Sequence, residues 1–261
     1  MLNLNKTRIV TFLLFVSVIA ICLAQEDKDL TFYVNFNKGL DAENAKGENK
    51  ALFSNTNLTD GHYEKGLRVS PGGYLRYSAS DSLELNLPEG AISVWVKMDK
   101  DTTEIYKDPS AKTEKYLNHL FNIEGSEKGD RFHISIGENC LFFQTADSSN
   151  PQKTYSCCIS YWKLNWKKGE WHQIVITWEK TEKNTYLTNF YIDGKKNNRP
   201  NEKCNMIFPK HNPLWLNFGC YKIDSQLKKT TGNFMGVIDE FRIYNRQLSG
   251  KEIKEMFAAG I

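Results

Sequence analysis

Apolar and polar positions alternate with period two along most of the chain, the signature of strands with one buried face. Leu30, Phe32, Val34 and Phe36 alternate with Thr31, Tyr33 and Asn35, and Ile92, Val94, Val96 and Met98 alternate with Ser93, Trp95 and Lys97. The same pattern returns in Phe132, Ile134 and Ile136, in Tyr155, Cys157 and Ile159, and in Leu214, Leu216, Phe218 and Cys220. It predicts strands over 30–36, 66–77, 90–98, 117–123, 131–136, 141–145, 154–161 and 173–178. The second of these is interrupted by turn chemistry at Pro71-Gly72-Gly73, and Asp193-Gly194 marks a tight hairpin. In the last strand Val237, Phe241 and Ile243 fall on one face with Asp239 in line, and Glu240, Arg242 and Tyr244 fall opposite.

One helix is expected, at the end. Ser249 and Glu252 have capping-box spacing, Leu248 and Ile253 can staple the entry, and Gly260 stands where a helix terminates. Lys38 to Asn57 shows no sustained period and reads as a long surface connection, and Asp99 to Lys115 as an exposed loop. About a dozen short strands and no internal repeat predict an all-β domain of two antiparallel sheets packed face to face.

Several strings carry a family resemblance. Gly236 to Ser249 reads G-x-I-D-E-x-R-I-Y-N-R-x-L-S, Ser93 to Lys97 reads S-x-W-V-K, Trp171 to Trp178 reads W-H-x-x-x-x-T-W, and Tyr191 to Lys195 reads Y-x-D-G-K. Together they resemble the laminin G-like, or concanavalin A-like lectin/glucanase, jelly rolls. The resemblance spans Leu30 to Ile261 and is strongest over 90–98, 169–195 and 236–255. It implies an antiparallel jelly-roll sandwich with a short C-terminal helix, and it puts Trp95, Trp171 and Trp178 at framework positions. It also implies that an Asp at position 239 could be one oxygen ligand of a structural Ca²⁺, since several relatives hold that ion between the sheet edge and loops.

Residues 1–24 read as a signal peptide and 25–261 as one domain. Lys6 and Arg8 form a basic start, Ile9 to Cys22 is almost continuously apolar, and Cys22-Leu23-Ala24 offers small residues for cleavage before Gln25. The run falls short of the roughly 20 residues a spanning helix needs, so no transmembrane segment is expected after cleavage. Lipid modification at Cys22 is the alternative, disfavoured by the bulky Ile21. The formal charge of +3 includes both leader cations, so the remaining chain carries no footprint for nucleic acid. A secreted or cell-surface location makes disulfides possible. Cys140, Cys157, Cys158, Cys204 and Cys220 are the candidates, an odd set that leaves at least one thiol over, and no C-x-x-C pair points to metal. Asn57-Leu58-Thr59 is a glycosylation sequon, significant only in a eukaryotic secretory route.

Catalytic patterns are missing. Retaining glycosidases on such folds place carboxylates at alternate positions of one strand, as E-x-D-x-E or E-x-D-x-x-E, and neither string occurs. The acidic stretch from Asp99 to Glu104 sits in a loop, and His119, His133 and His172 stand singly in strands. Asp239, on an apolar face, demands backbone N–H groups, a cationic side chain or Ca²⁺. For ligand binding the candidates are Tyr161, Trp162, Trp166 and Trp215, flat rings for sugar C–H faces near the polar Lys163, Asn165 and Asn217. The expectation is a secreted, non-enzymatic domain that binds a glycan or an extracellular protein. A structural or adhesive surface protein is the alternative, with a glycoside hydrolase or lyase behind both. Oligomeric state is left open.

Overall fold

The computed structural model describes residues 27–79, 88–105, 118–125, 131–137, 140–146, 154–160, 164–182, 186–197, 205–206, 213–220, 222–224, 229–231 and 234–261. The predicted leader, residues 1–24, therefore lies outside the described residues. So do Tyr161, Trp162 and Cys204.

The first strands are β1 (Leu30–Val34), β2 (Asn44–Ala45), β3 (Ala51–Asp60), β4 (Lys65–Ser78) and β5 (Glu89–Met98), followed by the single-turn helix α1 (Thr102–Ile105). Then come β6 (Asn118–Gly125), β7 (Arg131–Gly137), β8 (Cys140–Ala146), β9 (Thr154–Ser160), β10 (Trp171–Lys180) and β11 (Tyr186–Ile192). The chain continues through β12 (Lys195–Lys196), β13 (Asn205–Met206), β14 (Pro213–Phe218), β15 (Lys222–Asp224), β16 (Lys229–Thr231), β17 (Gly236–Tyr244) and the helix α2 (Gly250–Ala259).

The main ladder runs β12-β11-β10-β5-β17-β4-β14-β6-β7-β8-β9, with every pairing antiparallel. The sheet folds back on itself at the β17–β4 junction, where only Val237↔Arg68 and Ile238↔Leu67 are in register. Aromatic contacts then close the two layers on each other: Phe121 on Phe241 at 5.0 Å, Phe143 on Phe190 at 5.8 Å and Phe132 on Trp178 at 6.1 Å, all near edge-to-face. β10, β5 and β17 form the first layer, and β14, β6, β7 and β8 the second, with β4 turning the corner. The face-to-face antiparallel sandwich expected from the alternation, the jelly roll that the resemblance implies, is what the chain builds.

The first layer is covered on its outer side as well. Helix α2 lays Ile253 onto Ala91, Val175 and Tyr244, with Leu248 in the same cluster, which explains why every residue of β17 is buried. The capping box forms as the sequence predicts: Ser249 Oγ accepts the Glu252 N–H, Glu252 returns the bond to the Ser249 N–H, and Gly260 closes the helix in the left-handed region. Phe257 stacks on Trp95 at 5.6 Å, and His62 stacks on the same indole at 3.7 Å.

Three local expectations change. Residues 51–60, inside and just past the predicted surface connection, form β3, which hydrogen-bonds to β4 alone. As an edge strand exposed along most of its length it carries no apolar alternation, so its sequence did not betray it. Pro71-Gly72-Gly73 does not reverse the chain: β4 runs through it, with Gly72 (φ 82) opposite a bulge at Asn55 (φ 50) whose amide donates to the Pro71 carbonyl at 3.0 Å. In β17 a bulge between Asp239 and Arg242, with Glu240 at φ 52, shifts the face by one residue. Ile238, Phe241 and Ile243 face the inter-layer core, while Asp239 lies on the outer side of the first layer, cross-strand from Trp95. The predicted alignment of Asp239 with Phe241 and Ile243 is thereby corrected.

Candidate functional site

On the second layer, residues that alternate with the core form an outer face, and the register aligns them. One row crosses six strands: Leu52 of β3 beside Arg76 of β4, then Asn217 of β14, Asn122 of β6, His133 of β7 and Gln144 of β8. The floor of this face is polar yet withdrawn from solvent: Asn217 and Ser135 are 0% exposed, His119 and His133 1%, and Asn122 6%. Among the described residues neither Asn217 Nδ2 nor Oδ1 has a hydrogen-bond partner, nor does Ser135 Oγ, a costly arrangement for a buried amide.

Around that floor stand half-buried groups. The Arg76 guanidinium lies 4.1 Å from the Trp215 ring and 5.6 Å from Tyr74, a cation held between aromatic faces. Trp215 is cross-strand from Glu124. Among the described residues on the strands of this row, Glu124 is the one carboxylate on the outer face, whereas a glycosidase needs two. The arrangement can stack one apolar ring face and hydrogen-bond several hydroxyls.

A second polar centre lies on the outer side of the first layer. Asp239, 0% exposed, accepts backbone N–H groups from His62 at 2.8 Å, Tyr63 at 3.1 Å and Glu240 at 2.8 Å. Burial pushes its carboxyl from the ordinary 3.8 up to about 7; the Glu240 charge adds to this, and the three N–H bonds pull the other way. A Cβ on Gly61 would stand 2.5 Å from Asp239 Oδ2, so the loop can approach this closely only with glycine there. Three N–H dipoles aimed at the carboxylate put hydrogens where a calcium site needs oxygens, and no group of three or more His, Cys, Asp or Glu suited to a metal occurs among the described residues. Of the routes open to Asp239 in the sequence, backbone hydrogen bonding is the one in place.

The family profile described as the concanavalin A-like lectin/glucanases superfamily, of laminin G type, matches residues 71–254. The chain belongs to this superfamily. Similar solved structures agree on the fold. Domain 4 of AbnA, a GH43 extracellular arabinanase from Geobacillus stearothermophilus, in complex with arabinotriose, aligns at TM-score 0.57 and 18% identity over 88% of this chain and 99% of that domain. The receptor binding domain of botulinum neurotoxin D aligns at TM-score 0.60 and 16% identity, and the binding domain of Paraclostridial Mosquitocidal Protein 1 at 0.58 and 17%. Each covers 88% of this chain, which in turn spans 52% of either toxin domain. No curated protein matches the chain.

Within this lectin-like frame the predicted residues separate. Trp215 and Asn217 come together on the outer face of the second layer. Trp166 does not join them: it is 2% exposed, belongs to the core and stacks on His172 at 4.3 Å. Trp95 and Trp178, 3% and 1% exposed, are packing residues as the resemblance implied. Asp193 is more than a turn residue, since it accepts from the Gln173 N–H and bonds His172 Nδ1, both at 2.9 Å. Cys220 is a free, buried thiol pushed up to about 12 by burial. Cys140 lies on β8, and Cys157 and Cys158 lie on β9, in register with Phe143 and Phe142. No described helix is long and apolar enough to cross a membrane. Arg76, Tyr74, Asn122 and Glu124 were missed by sequence reasoning. Their only signal was the outward parity of β4 and β6, which is uninformative until strand partners are known.

Proposed function

We propose that this chain is an exported, non-catalytic recognition domain that binds a glycan on the outer face of its second layer, around Trp215 and Arg76. The observation that carries the reading is the half-buried Trp215 ring, on the outward parity of β14 with the Arg76 guanidinium 4.1 Å away and Glu124 cross-strand. A sugar would lay its apolar C–H face on the Trp215 ring while its hydroxyls accept from Arg76 and donate to Glu124. The arabinotriose bound to the arabinanase domain supports a saccharide as the class of ligand. Glu124, the one carboxylate on that face among the described residues, supports binding without hydrolysis.

A glycan array tests this. Saturable binding to a subset of saccharides, lost in Trp215→Ala at unchanged melting temperature, is the expected result. Release of reducing sugar from a polysaccharide panel would overturn the non-catalytic part. A protein partner is the second reading, favoured by β3, an edge strand that leaves Leu52 49%, Phe53 56% and Leu58 38% exposed. An array with no bound glycan would turn attention to that edge.

A further inference from the structure

We propose that the outer face selects acidic saccharides, with the carboxylate of a uronic acid seated on the Arg76 guanidinium beside Trp215; this rests on the reading that the face binds glycan. The argument begins with a contrast among arginines. Arg68 holds Asp99 through two bonds of 2.5 and 3.0 Å, Arg242 holds Glu240 at 2.5 Å, and Arg246 reaches Asp29 at 3.2 Å and Glu252 at 2.8 Å. Arg76, half-buried like Arg68 and Arg246, has no carboxylate within ion-pairing distance among the described residues. Its contacts are the rings of Trp215 and Tyr74.

A guanidinium lying against a ring directs its N–H donors along its own plane, away from the π face, so stacking holds the fork in place without using it. The terminal N–H groups of Arg76, unlike its enclosed Nε, are open to solvent and make no hydrogen bond among the described residues. An unspent charged fork beside an aromatic face calls for a compact group rich in acceptors. A neutral hydroxyl offers one oxygen and no charge; a carboxylate offers two oxygens and matches the guanidinium fork. Glu124, cross-strand from Trp215 on the β6 side of β14 whereas Arg76 comes from the β4 side, then orients the ligand. It repels the acid end and accepts hydroxyls from the remainder of the sugar.

Isothermal titration with trigalacturonate, and with the same trimer after carboxyl reduction to its neutral form, reads this directly. The full chain should bind the acidic trimer about 10- to 100-fold more tightly than the reduced one, the range expected for a charge-assisted hydrogen bond, and added salt should narrow the gap. Arg76→Gln should erase the discrimination; Arg76→Lys, which keeps the charge but loses the fork, should retain part of it. Equal affinity for the two trimers, or discrimination surviving in Arg76→Gln, overturns the acidic preference and leaves glycan binding standing. Binding of neither trimer, with an array also blank, removes both readings. Should Arg76→Gln fail to fold, the comparison of the two trimers and its salt dependence on the unaltered chain decides the matter alone.

Discussion

The Asp239 carboxylate takes the backbone N–H of His62 at 2.8 Å, joining the bulge of the last long strand to the loop between β3 and β4 across 177 positions of sequence. That bond, with its companion from Tyr63, holds the loop so that the His62 ring lies flat on Trp95 and edge-on to Trp171. Replacing the carboxylate by its amide, Asp239→Asn, keeps the shape but turns an N–H₂ toward at least one of the three donors. Leaving a buried donor unpaired costs about 1–3 kcal/mol. Chemical denaturation at neutral pH should show a loss of that size, accompanied by faster exchange of the His62 and Tyr63 amides.

The same group gives the protein a pH dependence with a definite sign. Its folded value, about 7, lies above the ordinary 3.8, so between these limits the folded chain binds the proton more tightly than the unfolded one. The Asp239 contribution is therefore fully present below about pH 4 and is lost as the pH rises through about 7. Comparing wild type with Asp239→Asn across pH 4 to 8, the difference in unfolding free energy should narrow as the pH rises. A difference that widens would show that the three N–H bonds dominate over burial.

Glu240 and Arg242 form an ion pair of 2.5 Å on the outer side of β17, with side chains 4% and 9% exposed. Arg242 also lies 4.3 Å from the Tyr33 ring, and the Tyr33 hydroxyl donates to Glu240 Oε2 at 2.9 Å. Arg242→Met strands the carboxylate and should cost about 3–5 kcal/mol. The double replacement Glu240→Gln with Arg242→Met should cost clearly less than the single one, because no buried charge then lacks a partner. Thermal unfolding of the set measures the coupling.

Gly90 faces Trp178 across the β5–β10 ladder, and a Cβ there would meet the indole Cζ2 at 2.1 Å. Gly90→Ala must displace a ring that packs on Phe132 between the layers. A destabilisation of about 1–3 kcal/mol is expected from such overpacking, read by denaturant unfolding and by a change in tryptophan fluorescence.

The C-terminal helix completes the burial of the first layer. Ile253→Ala, at a fully buried position beneath it, should cost about 2–5 kcal/mol. Ser249→Ala, which opens the capping box, should cost about 1 kcal/mol. A helix that merely decorated the surface would show neither loss, and differential scanning calorimetry on the two variants distinguishes the cases.

Much of this architecture is legible along the chain because alternation is a local property. The run from Ile92 to Met98 announces its buried face by itself, and the Ser249 and Glu252 spacing announces a helix start, since each depends on neighbours a few residues away. The edge strand β3 escaped because burial is what makes a strand visible in sequence, and an edge that faces solvent lacks it. Trp166 illustrates the converse: a tryptophan between two lysines and an asparagine looks displayed, yet it closes the core against His172.

Sequence alone determined the all-β sandwich, the terminal helix with both of its caps, and the need for Asp239 to be satisfied. Tertiary structure alone decided what satisfies it and which residues share the outer face. A single-residue bulge in β17 exchanged the faces on which Asp239 and Phe241 lie. The row from Leu52 through Arg76, Asn217, Asn122 and His133 to Gln144 exists only once six strands lie in register. Register between strands distant in sequence is set by how the two layers pack, and no periodicity within one strand encodes it.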